Sequence, residues 1–498
     1  MKISDWTTEM RYRPYKLWDK EYLPTLEAAV RHSPWRLDFH IQPASGLLND
    51  PNGFSYFNGQ WHLFYQAFPF GSVHGLKSWF HLTSNNLVDW QEEGVKLEPT
   101  NEYDSHGVYS GTALPIGDEL FLAYTGNVRD ENWQRHSFQM GAMMDKNNQV
   151  TKIATPLIPK QPIGYTDHFR DPQVIPYGSG YLMIIGAQTM EEEGKILIYQ
   201  GATLTDWQLL GELDYMDAEA GFMVECPNLV WIDDQPVLIF CPQGMKKTDL
   251  NYQNIYPNTF VLAEALDLDN LTLKNPLPIQ NLDEGFDLYA SQVINAPDGR
   301  VLSVGWAGLP ELTYPTDVEN WAHCLSLVKE LTLRDNRLYQ KPVVELQALR
   351  QEERPFLGAL GTLLPLIEKN EENRYELNLT LSPDSQGSLH LFADKENKQP
   401  FSLHFDAKNG KIILDRSRVS RALNEAFGTS REIKIDANQS LTLQIFVDQS
   451  ICEIFVNDGL HVFTSRVFPE VGQTNLFIEG KQGQFKGTHW KLRSSFIQ

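Results

Sequence analysis

A chain of 498 residues exceeds what one ordinary compact core organises, so two or three domains are expected unless one is a large closed β architecture. Hydrophobic residues at 42% suit a globular chain, no apolar run approaches the ~20 residues of a membrane span, and a net charge of −22 argues against nucleic-acid or membrane partners. Cys226, Cys241, Cys324 and Cys452 form no C-x-x-C pair and the histidines show no ligand spacing, which predicts reduced thiols, a cytoplasmic setting, no metal and no cofactor.

The start, Met1-Lys2-Ile3-Ser4-Asp5-Trp6, has no apolar core of a secretory leader. Residues 1–40 read as irregular, with a helical candidate near Leu26–Arg31. Then one unit repeats: a β-rich run, a turn dipeptide and a second β-rich run. The turns are Asn58-Gly59, Gly117-Asp118, Gly178-Ser179, Asp233-Asp234 and Asp298-Gly299. The five hairpins start roughly 55 to 65 residues apart, a period that points to an all-β fold, a five-bladed β-propeller over residues 1–345. Around Lys341–Glu353 the pattern changes to a short helical or linker stretch. Strand signals then resume at shorter spacing, among them Tyr375–Leu381, Ser388–Ala393, Ser402–Asp406, Lys411–Asp415, Leu441–Val447 and Ile451–Val456. They predict a C-terminal β-sandwich over residues 346–498.

In a propeller, equivalent positions of successive blades face one axis. Positions about eight residues upstream of each turn are Asp50, Ser110, Asp171, Glu225 and Tyr289, so these five should meet at one mouth. Converging carboxylates repel one another, a cost usually tolerated for function. Glycoside hydrolysis uses such a set: one ionised carboxylate to attack the anomeric carbon and one protonated acid for the leaving oxygen. Each acid also has a local reading. Asp50 sits in an Asx-rich turn before Pro51, Asp171 could simply pair with Arg170, and only Glu225 lies in an apolar setting where an unpaired acid is costly. Cys226 reads as a small buried hydrophobe.

The boxes around these positions resemble glycoside hydrolase family 32, the invertases, fructanases and sucrose-6-phosphate hydrolases. They are Asn49–Gly53, the W-x-H-x-x-S set Trp79, His81 and Ser84, then Tyr109–Ala113, Phe169–Pro172, Glu225–Pro227 and Tyr289–Gln292, all in family order. The resemblance implies a propeller followed by a sandwich and a retaining cleavage of β-fructofuranosides. It implies Asp50 as nucleophile, Glu225 as acid and base, and Asp171 as a transition-state stabiliser that binds fructose hydroxyls. Arg170 would pair with the acids, while Asn49, Gln66, Trp79 and Ser110 would line the fructose pocket, Trp79 as an apolar wall.

Phe80 stands where most invertases have glycine. This and the stretches Phe68–Trp79, Thr125–Arg129 and Tyr252–Pro257 look like the branch of the family that acts on sucrose 6-phosphate. For a phosphate, His74 and Lys77 are the first candidates at the rim, with Arg129, Arg135 and His136 as further basic residues. The expected partner is thus a small sugar or sugar phosphate, with a homodimer through the sandwich as an option. Unphosphorylated sucrose or fructans, fructosyl transfer to another sugar, and a noncatalytic carbohydrate-binding propeller are the alternatives.

Overall fold

Asn58 and Gly59 both have positive φ, 50° and 82°, and so do Asp233 and Asp234, at 50° and 64°. That is the turn geometry whose twist matches two antiparallel strands, so these dipeptides close tight hairpins. The computed structural model, which describes residue 3 and residues 5–495, builds a blade on each of the five hairpins. Their innermost strands are Gly46–Phe57, Val108–Ile116, Tyr165–Tyr177, Met223–Ile232 and Tyr289–Asn295, each paired antiparallel with the strand that follows it. The ring closes when Trp321–Ala322, from within the fifth blade, pairs in parallel with Gly46–Leu47 of the first.

Side chains facing outward from each sheet bury against the next blade. Phe64, Trp79, Leu122 and Tyr124 share one such core, and Leu182, Ile184, Leu229 and Leu238 share another. Burying apolar area between blades holds the ring together without a central core.

After the last blade strand, Arg337–Pro342, a 3-10 helix at Val344–Leu349 leads into the strand Arg350–Ala359. The expected helical or linker stretch is therefore a short 3-10 helix of about two turns followed by a sheet edge. Two six-stranded antiparallel sheets then pack face to face around Leu377, Leu391, Leu403, Ile445 and Ile454. At the amino end, the helix expected near Leu26–Arg31 runs Tyr22–Val30, and a shorter one spans Thr8–Arg11.

The sandwich is fused to the propeller's flank. Phe446, Phe455, Val462 and Leu492 bury in the same cluster as Leu302, Val304 and Leu327 of the fifth blade. At the heart of this contact His40 lies between two sandwich carboxylates, 2.9 Å from Asp448 and 3.1 Å from Glu453, all fully buried.

Candidate active site

Each innermost strand carries a register irregularity at the same height: between Leu48 and Pro51, Val108 and Gly111, Arg170 and Gln173, Glu225 and Asn228, and Tyr289 and Gln292. A bulge leaves residues out of the ladder and re-aims their side chains. Asp171, Cys226 and Ala290 hold positive φ of 69°, 49° and 47° there, a strained conformation for non-glycine residues that recurs at functional sites.

The bulges bring Asp50, Asp171 and Glu225 to the axis, with Ser110 and Tyr289 between them. Asp50 accepts from Ser110 Oγ at 2.5 Å, Asn49 Nδ2 at 3.0 Å and Gln66 Nε2 at 3.3 Å. Gln66 also bonds Ser110 and Asn49. Glu225 accepts from Arg170 Nη2 at 2.8 Å and Nε at 3.1 Å through one oxygen, and from the Tyr289 hydroxyl at 2.7 Å through the other. Asp171 accepts the backbone N–H of Cys226 at 3.0 Å. The Cys226 sulfur lies 3.9 Å from Asp50 and 3.7 Å from Asp171, which ties the three strands to one point.

Electrostatics follow from this crowding. Burial raises Asp50, with Ser110 opposing it and Glu225 adding to it. Burial pushes Asp171 up to about 7, against Arg170 and with the charges of Glu225 and Asp50. Burial would pull Arg170 down, but Glu225 and Asp171 outweigh it and its pKa is raised. Beside Asp171, Ser110 and Cys226 lies a cavity of only about 10 Å³, far too small to hold a sugar. A cavity of about 870 Å³ beside Arg36, Asp89 and Glu92 lies elsewhere and gathers none of the three acids.

Two expected positions need correction. Lys77 is 3% exposed; its ammonium bonds Asn49 Oδ1 and faces Asp50, so it lies beneath the pocket floor and cannot meet a ligand at the rim. Burial pulls it down to about 7 while Asp50 opposes. Trp79 has no exposed surface: its N–H bonds the Tyr109 carbonyl at 3.0 Å and its ring packs on Phe64 and Tyr124, so it backs the site instead of offering a wall. His74 is exposed, with its ring 6.4 Å from Trp306, which in turn packs on Tyr289. His136 bonds Asp130 at 3.3 Å and is held by acids.

His168 was not among the expected residues. It stands two positions before Arg170 on the same strand, hence on the same face, and its Nδ1 lies 3.0 Å from Arg170 Nη1 and 3.2 Å from Arg135 Nη1. The period of two along Thr166–Asp171 is the signal that could have found it.

Residues 40–342 match the N-terminal domain of glycosyl hydrolases family 32 and residues 345–491 match its C-terminal domain. A sucrose-6-phosphate hydrolase of Pediococcus pentosaceus is 47% identical over 98% of this chain and 97% of its own, and one from Streptococcus mutans is 47% identical over 97% and 98%. Among solved structures, a sucrose-6-phosphate hydrolase from Lactobacillus gasseri superposes with a TM-score of 0.95 at 42% identity, covering 99% of this chain and 100% of its own. A Bombyx mori family 32 β-fructofuranosidase mutant in complex with sucrose gives 0.83 at 28% identity, over 96% and 98%. With both of its domains matched and relatives this similar along its whole length, the chain belongs to glycosyl hydrolases family 32.

Proposed function

We propose that the protein hydrolyses sucrose 6-phosphate to glucose 6-phosphate and fructose, with retention at the anomeric carbon. The observation that carries the chemistry is the axial trio of Asp50, Asp171 and Glu225, each held by its own set of donors. In the first half-reaction an Asp50 oxygen attacks the anomeric carbon of the fructosyl unit. The bond to the leaving oxygen breaks, and Glu225 gives that oxygen its proton. In the second half, Glu225 takes a proton from water, the resulting oxygen attacks the same carbon, and Asp50 is released. Asp171 accepts from fructose hydroxyls as positive charge grows on the ring. Asn49, Gln66 and Ser110 aim Asp50, and Arg170 with Tyr289 aims Glu225.

The phosphorylated substrate is supported by relatives at 47% identity that carry that activity in their names. A cytoplasmic setting goes with it, because a sugar phosphate is an anion that a bilayer excludes. The test is product analysis with sucrose, sucrose 6-phosphate and inulin in parallel, on the wild type and on Asp50→Ala. Fructose and glucose 6-phosphate should be released fastest from sucrose 6-phosphate, and Asp50→Ala should be folded and inactive. A folded Asp50→Ala protein with full turnover sinks the assignment of the nucleophile, and equal or better turnover of sucrose sinks the substrate.

A further inference from the structure

Next to the carboxylates lies a group of basic side chains that the chemistry above does not use. Arg170 spends Nε and Nη2 on Glu225, while its Nη1 lies against His168. Beyond His168 comes Arg135, and beyond that Arg129, which bonds the Trp133 carbonyl at 3.2 Å. Guanidinium groups only donate, so His168 Nδ1 must accept from both Arg135 and Arg170. The imidazole is then neutral with its proton on Nε2, a donor left for something else. Partial burial and the charges of Arg170, Arg135 and Arg129 agree, holding its pKa down to about 4.

The charges of Arg129, Arg135 and Arg11 all act on the Tyr12 phenol, so the three guanidiniums stand around one place. In a chain with a net charge of −22, guanidiniums gathered around a neutral histidine that has a donor to spare make a good anion seat. Arg11 reaches this place on the amino-terminal arm. The backbone there docks on Gly75, whose added Cβ would stand 2.7 Å from the Arg11 carbonyl oxygen, and Leu76 N–H donates to that oxygen at 2.8 Å. Tyr12 wedges between His106 and Trp133, with ring centroids 5.8 Å and 5.1 Å away. Residues before 40 lie outside the matched family domains, so this wall is an addition to the shared catalytic core.

We propose that Arg129, Arg135 and His168 form the subsite for the phosphate of the leaving sugar, closed on its outer side by Arg11 and Tyr12 of the amino-terminal arm. This rests on the sucrose 6-phosphate reading. It puts the anion on the Glu225 side of the pocket, where the leaving oxygen is protonated, with Arg170 as the link between acid and anion seat. The ligand is a dianionic phosphate monoester on a hexose, taken by charge-assisted hydrogen bonds from the Arg129 and Arg135 guanidiniums and a hydrogen bond from His168 Nε2–H.

The experiment measures kcat/KM on sucrose 6-phosphate and on sucrose for the full-length wild type, Arg129→Gln, Arg135→Gln and Arg11→Gln. The wild type should prefer the phosphorylated sugar, and Arg129→Gln and Arg135→Gln should each lower that preference on the order of ten- to a hundred-fold, mainly through KM. Arg11→Gln should lower it less. Inhibition of sucrose hydrolysis by glucose 6-phosphate should weaken in the same variants, and inhibition by glucose should not. A wild type with its preference intact, beside variants whose preference is unchanged, overturns the subsite alone. A wild type with no preference overturns the substrate reading and the subsite with it. If Arg135→Gln turns over neither sugar, calorimetric binding of glucose 6-phosphate to Arg129→Gln decides, and wild-type affinity there overturns the proposal.

Discussion

Asp50 and Glu225 share one axis but are held differently. Asp50 receives neutral donors from Ser110, Asn49 and Gln66, which fix its direction, while the Lys77 ammonium faces it from beneath as a counter-charge. Glu225 meets a guanidinium and a phenol, so its charge is compensated on one oxygen and its orientation fixed on the other. Glu225→Gln keeps the shape but has no proton to give, so kcat on a sugar leaving group should fall about 10²- to 10⁴-fold. A fructoside with an acidic aryl leaving group needs no protonation and should lose much less. Equal losses on the two substrates, measured side by side, would remove Glu225 from the acid role.

Each short box on the inner strands divides its work. Its first residues face the axis, and its last ones stitch blades together. Asn52 accepts from Gly111 N–H at 3.0 Å, Thr112 donates to the Pro172 carbonyl at 3.1 Å, and Gln173 accepts from Leu229 N–H at 2.7 Å. Asn228 accepts from Val293 N–H at 3.2 Å, and Gln292 accepts from Phe54 N–H at 2.6 Å, which closes the circle. Gly111 is a tight point in this ring: an added Cβ would stand 1.9 Å from the Ala123 carbonyl oxygen, so strand must move against strand. Gly111→Ala should cost about 1–3 kcal/mol in urea denaturation and also lower kcat/KM, because Ser110 moves with it. Wild-type values for both would show that the ring does not set the acids.

This division explains what could be read from the chain alone. Turn dipeptides and alternation are local, so the hairpins were legible, and their equal register carried Asp50, Asp171 and Glu225 to one place. Depth was not legible. Lys77 is two residues from Trp79, yet nothing in that spacing says that its ammonium turns under Asn49. The strand Arg350–Ala359 is an exposed sheet edge whose run Gln351-Glu352-Glu353-Arg354 has no buried face, so it carries no alternation and reads as a linker. Arg135 and His168 meet across separate blades, a pairing that no local pattern encodes.

At the scale of the molecule, a buried charge network joins propeller to sandwich. Asp448 accepts the backbone N–H groups of Asp38, Phe39 and His40 at 2.8, 2.9 and 2.9 Å, and Glu453 accepts from Leu327 N–H at 2.6 Å with Lys329 3.6 Å from its other oxygen. His40 bridges the two acids, with Asp38 beside Asp448 and Asp283 beside Lys329 as the other charges facing the network. Burial alone would lower the His40 pKa, but Asp448 and Glu453 prevail and raise it. Burial would raise Glu453, but Lys329 and His40 prevail and lower it. The signs give a window. A raised histidine stabilises the fold fully below its ordinary 6.5, and that contribution is lost as pH rises through the higher folded value. A lowered glutamate stabilises above its ordinary 4.5, and that contribution is lost as pH falls through the lower folded value. The network should therefore be strongest between these limits. His40→Gln should flatten the loss of stability on the alkaline side and also reduce the acid limb in part, because Lys329 then holds Glu453 down without His40. Glu453→Gln strands Lys329 and His40 without their shared anion and should cost about 3–5 kcal/mol at pH 6. Urea denaturation across pH 4 to 9 checks both, with fluorescence from the Trp-rich propeller and far-UV circular dichroism as probes. One coincident transition at pH 6 is expected, because the contact ties the domains into one cooperative unit. Separate transitions in the wild type, or an alkaline limb that survives His40→Gln, would show that this network is not what couples them.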